Sequence, residues 1–489
     1  MKWAILYTKL ERMPMVKAVV PLMCGIVFAQ HYTLPLWLVI GGFLLCGVGA
    51  LLTRSALYTV LPIFLFGSML SDFHTTESRV PKQIRTTLQL TVSDPPAARN
   101  GYSTTTALIQ AWREGSVWRA GAEKVLLRAD STVTLRAGDR IICRGYVRAL
   151  PGKYESYRNL MTHRGYVGTL WLSAPRILEQ TPAQHTSLHL HALARIDRLH
   201  LAPDVKAVCG AMAAGDKSRL TPALRTAYSR SGTSHLLAVS GLHVGMVFLL
   251  VNLVLWWMPI LRRGHLLRNG VAILLIWLYA ATAGFSPSVV RAAVMFSALQ
   301  LSLASTSTYV SMNILAATAF LMLLVDPNYL FDISFQLSFI AVTAILAWGM
   351  PIYRLLTTKH RAVNLLTATL VMGVVSAVST APLVSHFFGI VSLVGVVINP
   401  VVILLATIIV PVAVVWIIVP ITLLSPLFEW VLGTLTTLQN RMVEVAAGMP
   451  CGAFDYTLST VQMGLIYLLF VVITLVAGSV ESQKESMKH

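Results

Sequence analysis

From about residue 236 the chain repeats apolar stretches, near 236–258, 269–284, 287–304, 311–326, 331–350 and 363–388, then 390–424 and 460–480. Most approach the roughly 20 residues needed to cross a bilayer core. Three more come first, about 16–30, 34–52 and 56–72. They follow one another too closely, and lack the cleavage site, for a signal peptide. Of the 489 residues 56% are hydrophobic and 12% charged, with mean hydropathy +0.70. A soluble domain carries about twice that charged fraction. The pattern predicts a polytopic α-helical membrane protein.

Charge orients it. Lys2, Lys9, Arg12 and Lys17 precede or open the first run, which favours a cytoplasmic N-terminus. Three crossings, residues 1–72, then place Asp72 and the segment after it outside the cytoplasm. On that count the basic clusters Arg262-Arg263-His265-Arg268 and Arg354-Lys359-His360-Arg361 return to the cytoplasmic side. The prolines at 400, 411 and 420 leave the later crossing count open by one, because proline breaks helices.

Residues 73–185 change character. "RTTLQLTVSD", "KVLLRADSTVTLRAGDRIICRGYVRAL" and "GYVGTLWLSAPRIL" alternate apolar and polar residues between Gly, Pro and Asp punctuation. They predict a small extracytoplasmic all-β domain of five or six strands, a count that an OB-like barrel fits. Residues 73–230 hold 23 Lys and Arg against 11 Asp and Glu, or 12 of the 18 net positive charges. Such an excess suits a polyanion, nucleic acid or anionic lipid; a generic basic surface fits equally well. Residues 186–230 predict an amphipathic helical linker lying at a surface, 231–480 the main polytopic domain and 481–489 a tail. Residues 427–449 predict an amphipathic helix at the interface. The five cysteines show no CxxC spacing, which disfavours zinc. A Cys143–Cys209 disulfide is allowed by sequence and unsupported by it.

Polar groups inside apolar runs are costly and usually face a bundle interior. "SHLLAVSGLHVGMVFLL" carries His235, Ser240, Gly241, His243 and Gly245. Gly241 and Gly245 form a close-packing GxxxG pair. The two histidines would lie about 12 Å apart along a helix, too far for a shared metal. A packed helix and a pore-lining segment both fit. Arg291 follows Pro287 within a run, either snorkelling or offering a fixed charge to an anion. "FDISFQLSFIA" places Asp332 and Gln336 on one helical face and Phe331, Phe335 and Phe339 on another; Asp332 is a candidate partner for Arg291. Asn399-Pro400 marks either a kink or a broken helix lining a cavity.

These blocks resemble the ComEC family of competence proteins. "GDKSRLTPALRTAYSRSGTSHLLAVSGLHVGMV", with Gly215-Asp216, Gly232 and His235 through His243, is similar to that family's most diagnostic block. "SPSVVRAAVM", "DPNYLFDISFQLSF" and "APLVSHFFGIVSLVGVVINP" resemble further blocks in the same order. "LPGKYESYRNLMTHRGYVGTLWL" resembles the end of the family's OB-like domain. The resemblance implies an inner-membrane, multi-pass channel for single-stranded DNA in natural transformation. Asp216 and the residues above would form its path or structural motif. Arg128, Arg136, Arg140, Arg144 and Arg148, interleaved with Tyr102, Trp112, Trp118, Tyr146, Tyr154 and Tyr157, would offer a strand-binding surface. Implied partners are membrane lipids, a periplasmic or surface DNA-binding protein and a cytoplasmic helicase. Long family members carry a C-terminal metallo-β-lactamase-like domain with HxHxDH. This sequence has only "HLHALA" at His189, so we expect a short form without nuclease or metal site. A separate nuclease would then act on the other strand. No Walker-A pattern or cofactor signature is evident, so the chain is expected to be no enzyme.

Two other classes compete. "LAVSGLHVG" resembles the GxSG of rhomboid-like intramembrane serine hydrolases, with Ser240 and His386 as the pair. A transporter of another anionic substrate is the other.

Overall fold

A computed structural model describes residues 13–52, 57–74, 80, 84–99, 101–150, 158, 161–182, 187–260, 264–304, 311–450 and 452–486. Tyr154, Tyr157, Arg262, Arg263 and Cys451 lie outside these. Three apolar helices open the chain: α1 (Pro14–Ala29), α2 (Leu36–Leu52) and α3 (Leu57–His74). Their bounds fall within two residues of the predicted runs. α1 and α3 pack so closely that Gly25 lies against the Phe64 carbonyl and Gly67 against that of Leu22. Small residues permit such backbone approach between membrane helices.

The sheet comes next, with β1 (Thr86–Val92), β2 (Ala97–Arg99), β3 (Tyr102–Glu114), β4 (Val117–Asp130), β5 (Arg140–Gly145), β6 (Tyr166–Leu172) and β7 (Ile177–Thr181). Among the described residues that is seven strands rather than five or six. The spatial order is β6-β4-β3-β1-β5-β7, with β2 paired to β3. All neighbours are antiparallel except β4 and β6. Past β5, Arg148 exchanges both backbone hydrogen bonds with Thr169 of β6 at 2.8 Å. That bridge joins the two ends of the order β6-β4-β3-β1-β5, so the sheet closes on itself. Alternating residues fill its interior, including Leu88, Leu90, Ile109, Val125, Leu127, Ile141 and Leu170. Trp112, expected among the surface aromatics, is 3% exposed and belongs to this core. Cys143 is in the core too, and its thiol is pushed up to about 12 by burial.

The region expected to be a surface linker instead folds inward. It forms α4 (Leu188–Asp197), α5 (Pro203–Ala214) and α6 (Pro222–Arg230). In α5 Val205 and every residue from Ala207 to Ala214 are buried, within the largest core of the molecule. Ala, Gly and Cys there let neighbouring helices close around it. Cys209 is enclosed in that core, and neither it nor Cys143 is bonded, so the contemplated disulfide is absent.

The remaining helices are α7 (Gly241–Val254), α8 (Gly264–Thr282), α9 (Pro287–Ala304), α10 (Ser311–Val325), α11 (Ile333–Ala344), α12 (Met350–Leu355), α13 (Arg361–Phe388), α14 (Val394–Ile418), α15 (Ser425–Ala447) and α16 (Thr460–Ser486). A π-helical turn, Ile345–Gly349, joins α11 to α12. A two-stranded ribbon pairs β8 (Ile390–Ser392) with β9 (Ala453–Asp455). Among the described residues four helices are long and apolar enough to cross a membrane: Gly264–Thr282, Ile333–Leu355, Val363–Phe388 and Val394–Ile418. Seven more are apolar but shorter. The protein is thus a mostly helical membrane protein with an inserted sheet.

Of the two readings of Asn399-Pro400, the broken helix does not occur. α14 runs unbroken through Pro400 and Pro411. Each proline forfeits one backbone hydrogen bond, while ten α14 residues from Gly395 to Ile417 are buried against neighbouring helices. α15 forms over nearly the expected range, with a buried inner face and an exposed outer one. Its Thr436, Gln439 and Asn440 are buried, and Tyr228 donates to Asn440 Oδ1 at 2.8 Å while Gln439 Nε2 donates to Tyr228.

Candidate functional site

Several helix ends pack together within the helical body. α5 ends on Gly215 in the left-handed region (φ +80°). A Cβ there would sit 3.4 Å from the Ala283 carbonyl and 3.5 Å from Val239. Asp216 comes next, buried, its Oδ1 accepting from the Ser218 amide at 2.8 Å. Its other oxygen lies 3.6 Å from Arg219 Nε. Asp216 therefore shapes the turn. The "GDKS" and "AVSG" blocks, though distant in sequence, are packed together, and Ser288 at the start of α9 donates to the Val239 carbonyl at 2.6 Å.

The opening polar stretch is not one helix from residue 236. Ser234–Leu237 forms a single 3₁₀ turn, Ala238 is extended, and Ser240 is the N-cap of α7. His243 reaches back in a capping box, its Nδ1 accepting from the Ser240 amide at 3.0 Å. The Nδ1 lone pair is thus engaged. His243 is fully buried, and its Nε2 has no hydrogen-bond partner among the described residues. His235 stays exposed on the 3₁₀ turn, so the two histidines do not stack along one helix. Gly241 and Gly245 do share a face, and it meets α9: their Cβ positions lie 3.9 Å from Ala292 and 3.0 Å from Phe296. The pairing of Ser240 with His386 does not occur. His386 Nδ1 sits 2.8 Å from the Leu458 carbonyl, and Ser240 is occupied as a cap.

Asp332 joins sheet and body. It precedes α11 as its N-cap, and Oδ1 accepts from the amides of Ser334 (2.7 Å) and Phe335 (3.2 Å). This is why an aspartate is tolerated beside an apolar run: the first turn of a helix has free N–H groups to offer. Its Oδ2 receives a 2.7 Å bond from Arg164 Nε, on the loop entering β6. Next to it the His163 ring stacks on Phe331, centroids 4.5 Å apart. Asp332 therefore does not hydrogen-bond to Arg291, the partner sequence suggested. Arg291 is 3% exposed; its guanidinium donates to Ser338 of α11 at 2.5 Å, and Nη1 lacks a partner among the described residues. Asp332 is close enough to act on it through space. Gln336 turns back to donate to the Leu330 carbonyl. Asn399 stands apart on α14, with a buried Oδ1 that has no partner among the described residues. So Arg291 and Asp332 come together across α9 and α11, while Asn399 does not join them.

The five arginines do not form one surface. Arg128 on β4 is separated from Arg140 and Arg144 on β5 by β6 on one side of the closed sheet and by β3 and β1 on the other. Arg140 and Arg144 pair across to Thr91 and Thr87 of β1. Arg136 lies in the turn fixed by its amide's bond to Asp139, and Arg148 lies over the Tyr146 ring at 4.9 Å. What does gather on the outer face of β3, β4 and β6 is Tyr102, Trp171 and Arg128. Tyr102 and Trp171 have centroids 5.6 Å apart, and Arg128 lies 5.7 Å over Tyr102. Sequence reasoning missed Trp171. Its outward position in the β6 alternation, opposite Arg128 in register, was the available signal. Arg164 and His163 were missed because nothing in a loop sequence names its partner.

Burial, against a hydrogen bond from Asn328, lowers the His163 pKa from its ordinary value. The separated or unfolded form therefore takes up a proton before the docked one does. Docking stability is full above about pH 6.5 and is lost as pH falls from there toward the lowered value. Thermal unfolding scanned from pH 7.5 to 5 should show this loss. His163→Phe, which keeps a ring on Phe331, should flatten it; an unchanged pH profile in that variant would remove His163 as the cause.

Residues 212–480, more than half of the chain, match the family model described as Competence protein. The chain belongs to this family of competence proteins. It is 31% identical over 221 residues to ComE operon protein 3 of Bacillus subtilis (strain 168), a match covering 44% of this chain and 26% of that protein. It is 32% identical over 174 residues to an uncharacterized protein of Aquifex aeolicus (strain VF5), covering 35% of this chain and 38% of that one. The chain thus matches well under half the length of either relative. No solved structure matches.

Proposed function

We propose that the chain is a multi-pass, inner-membrane channel carrying one strand of DNA into the cytoplasm during natural transformation. The observation that carries this reading is the junction at Asp332. A basic closed sheet is fastened by Arg164 and His163 to the end of a helix that meets the buried Arg291. A strand held outside thus has a charged route into the helical body. We read the sheet as an OB-like domain. Its closed order and its one parallel pair, β4 with β6, support that. Tyr102 and Trp171 beside Arg128 make a stacking platform of the kind single strands use. In this reading the chain has no nuclease or ATPase of its own. A surface DNA-binding protein delivers the substrate, a cytoplasmic helicase draws it in, and a separate nuclease disposes of the complementary strand.

Deleting the gene tests the reading. Labelled DNA should still reach the cell surface, while DNA in the cytoplasm and transformants should both disappear. Cytoplasmic DNA arriving at the parental rate would sink it.

A further inference from the structure

The turn between α7 and α8 gathers polar side chains that neither the sheet junction nor the stacking platform uses. Asn252 stands in the last turn of α7, Arg268 and Asn269 in the second turn of α8, and Gln300 near the end of α9. Arg268 Nη2 donates to Asn252 Oδ1 at 3.0 Å. Gln300 Nε2 donates to Asn269 Oδ1 at 2.7 Å and lies 3.5 Å from the same Asn252 oxygen. Asn252 is itself fixed by its bond to the Phe248 carbonyl, at 3.0 Å. The ends of three helices thus hold one guanidinium against a connected set of amides.

Interhelical bonds of this kind lock membrane helices together, but locking leaves two features unexplained. The first is charge. Arg268 forms no ion pair among the described residues, and the sequence has no Asp or Glu between Asp216 and Asp326. α7, α8 and α9 therefore offer it no counterion, and a charge drawn out of water is costly without one. The second is pairing. Gln300 is 2% exposed, its Oε1 has no partner among the described residues, and neither has the buried Nε of Arg268. Buried polar atoms are nearly always paired, so both point to a further group that completes the cluster. Arg268 is only half-buried, and its Nη1 makes no bond among the described residues, so an anion can reach it.

The surroundings decide which anion fits. The turn after α7 carries Trp256 and Trp257, both exposed. Leu255 and Met258, on either side of them, pack with Ala272 of α8, one turn beyond Arg268. Tryptophans are enriched at headgroup level in membranes. The exposed neighbours Leu253, Val254, Leu266 and Leu267 are aliphatic, which suits acyl chains and not a hydrated strand. On the orientation read from the sequence, this end faces the cytoplasm, where the leaflet is anionic. We propose that the base of the α7–α8 turn binds the phosphate of an anionic phospholipid of the phosphatidylglycerol kind. Arg268 is the phosphate ligand, Asn252, Asn269 and Gln300 hold it in place, and Trp256 and Trp257 flank the lipid at the headgroup boundary. The site is independent of the strand-channel reading and stands whether or not the chain carries DNA.

The test uses the full chain in a neutral detergent, titrated with phosphatidylglycerol or phosphatidylcholine and read by native mass spectrometry. The first phosphatidylglycerol should bind about tenfold more tightly than phosphatidylcholine, the worth of one charge-assisted contact. Arg268→Gln should remove that preference. Arg268→Lys, which keeps the charge and loses the planar fork, should retain part of it. Arg354→Gln, at the other basic cluster, should leave it unchanged. Thermal unfolding of each variant monitors folding. If Arg268→Gln does not fold, the wild-type preference and Arg268→Lys still decide. Equal affinity of the wild type for the two lipids overturns the site, as does an undiminished preference in Arg268→Gln. An equal loss in Arg354→Gln would mark a diffuse charge effect and overturn it too. Displacement of the lipid by millimolar inorganic phosphate would make the ligand a free anion. Displacement by a single-stranded oligonucleotide, lost in Arg268→Gln, would make it a strand. Either result overturns the lipid site.

Discussion

Replacing Asp332 with alanine should abolish transformation and lower stability by about 2–3 kcal/mol, because one side chain holds together three things. It caps α11 through the Ser334 and Phe335 amides, and losing such a cap costs about 1 kcal/mol. It pairs with Arg164 across the sheet–body junction. Asp332 is nearly buried and Arg164 is 42% exposed. The loss therefore falls between that of an exposed pair and that of a buried one, about 1–2 kcal/mol. It also lies close enough to balance the buried guanidinium of Arg291. Asp332→Asn separates these jobs. Asparagine caps as well as aspartate does, so α11 keeps its start, but the charge is gone. Transformation should then fall at least tenfold while the protein still accumulates in the membrane. A double-mutant cycle with Arg164→Gln should return a coupling of about 1–2 kcal/mol in thermal unfolding. Normal transformation and zero coupling in Asp332→Asn would remove the junction from the mechanism.

The sequence carried some of this and hid the rest, for reasons that differ by element. The apolar helices were legible because a bilayer imposes a length and an absence of charge, and α1, α9 and α10 fall within two residues of their runs. α5 was misread because "VKAVCGAMAA" is too mildly apolar to look buried. Its burial depends on small side chains admitting α4, α14 and α15, which is a property of partners rather than of period. β3 went unnoticed although it is the centre of the sheet, paired to both β1 and β4. Before its charged end its outward residues are Thr104, Thr106, Leu108 and Gln110, with no charge among them, so the alternation has little contrast. The prolines of α14 left kink and break both open, because proline is judged by the bond it forfeits and not by the packing that offsets it. At the site, the residues Asp332, Arg291, Ser240 and His243 were all legible as polar groups in costly surroundings. Their partners were not. Asp332 reaches 168 residues back to Arg164, and no local pattern encodes that distance.

The second large effect is expected far from any charged group. A methyl group added at Gly25 of α1 would place its carbon 2.0 Å from the Phe64 carbonyl oxygen of α3, and one at Gly67 would lie 2.5 Å from that of Leu22. Both obstacles are backbone, so no rotamer change relieves them and the two helices must separate. Leu22, Ile26 and Ser68 are fully buried at or near this crossing, and separation opens a gap around each. Gly25→Ala should therefore cost about 3 kcal/mol, at the upper end of overpacking effects, and Gly25→Leu should prevent accumulation. Gly47 on α2 is the control, since nothing lies within 4 Å of its Cβ position; Gly47→Ala should accumulate and unfold like the wild type. The effect should also reach the site. Leu22 and Ile26 share a buried cluster with Met322 and Leu323 of α10 and with Phe335, whose amide Asp332 caps. Any Gly25→Ala protein that does accumulate should transform less well than its abundance predicts. Transformation that tracks abundance alone would show that α1 supports the fold without positioning the junction.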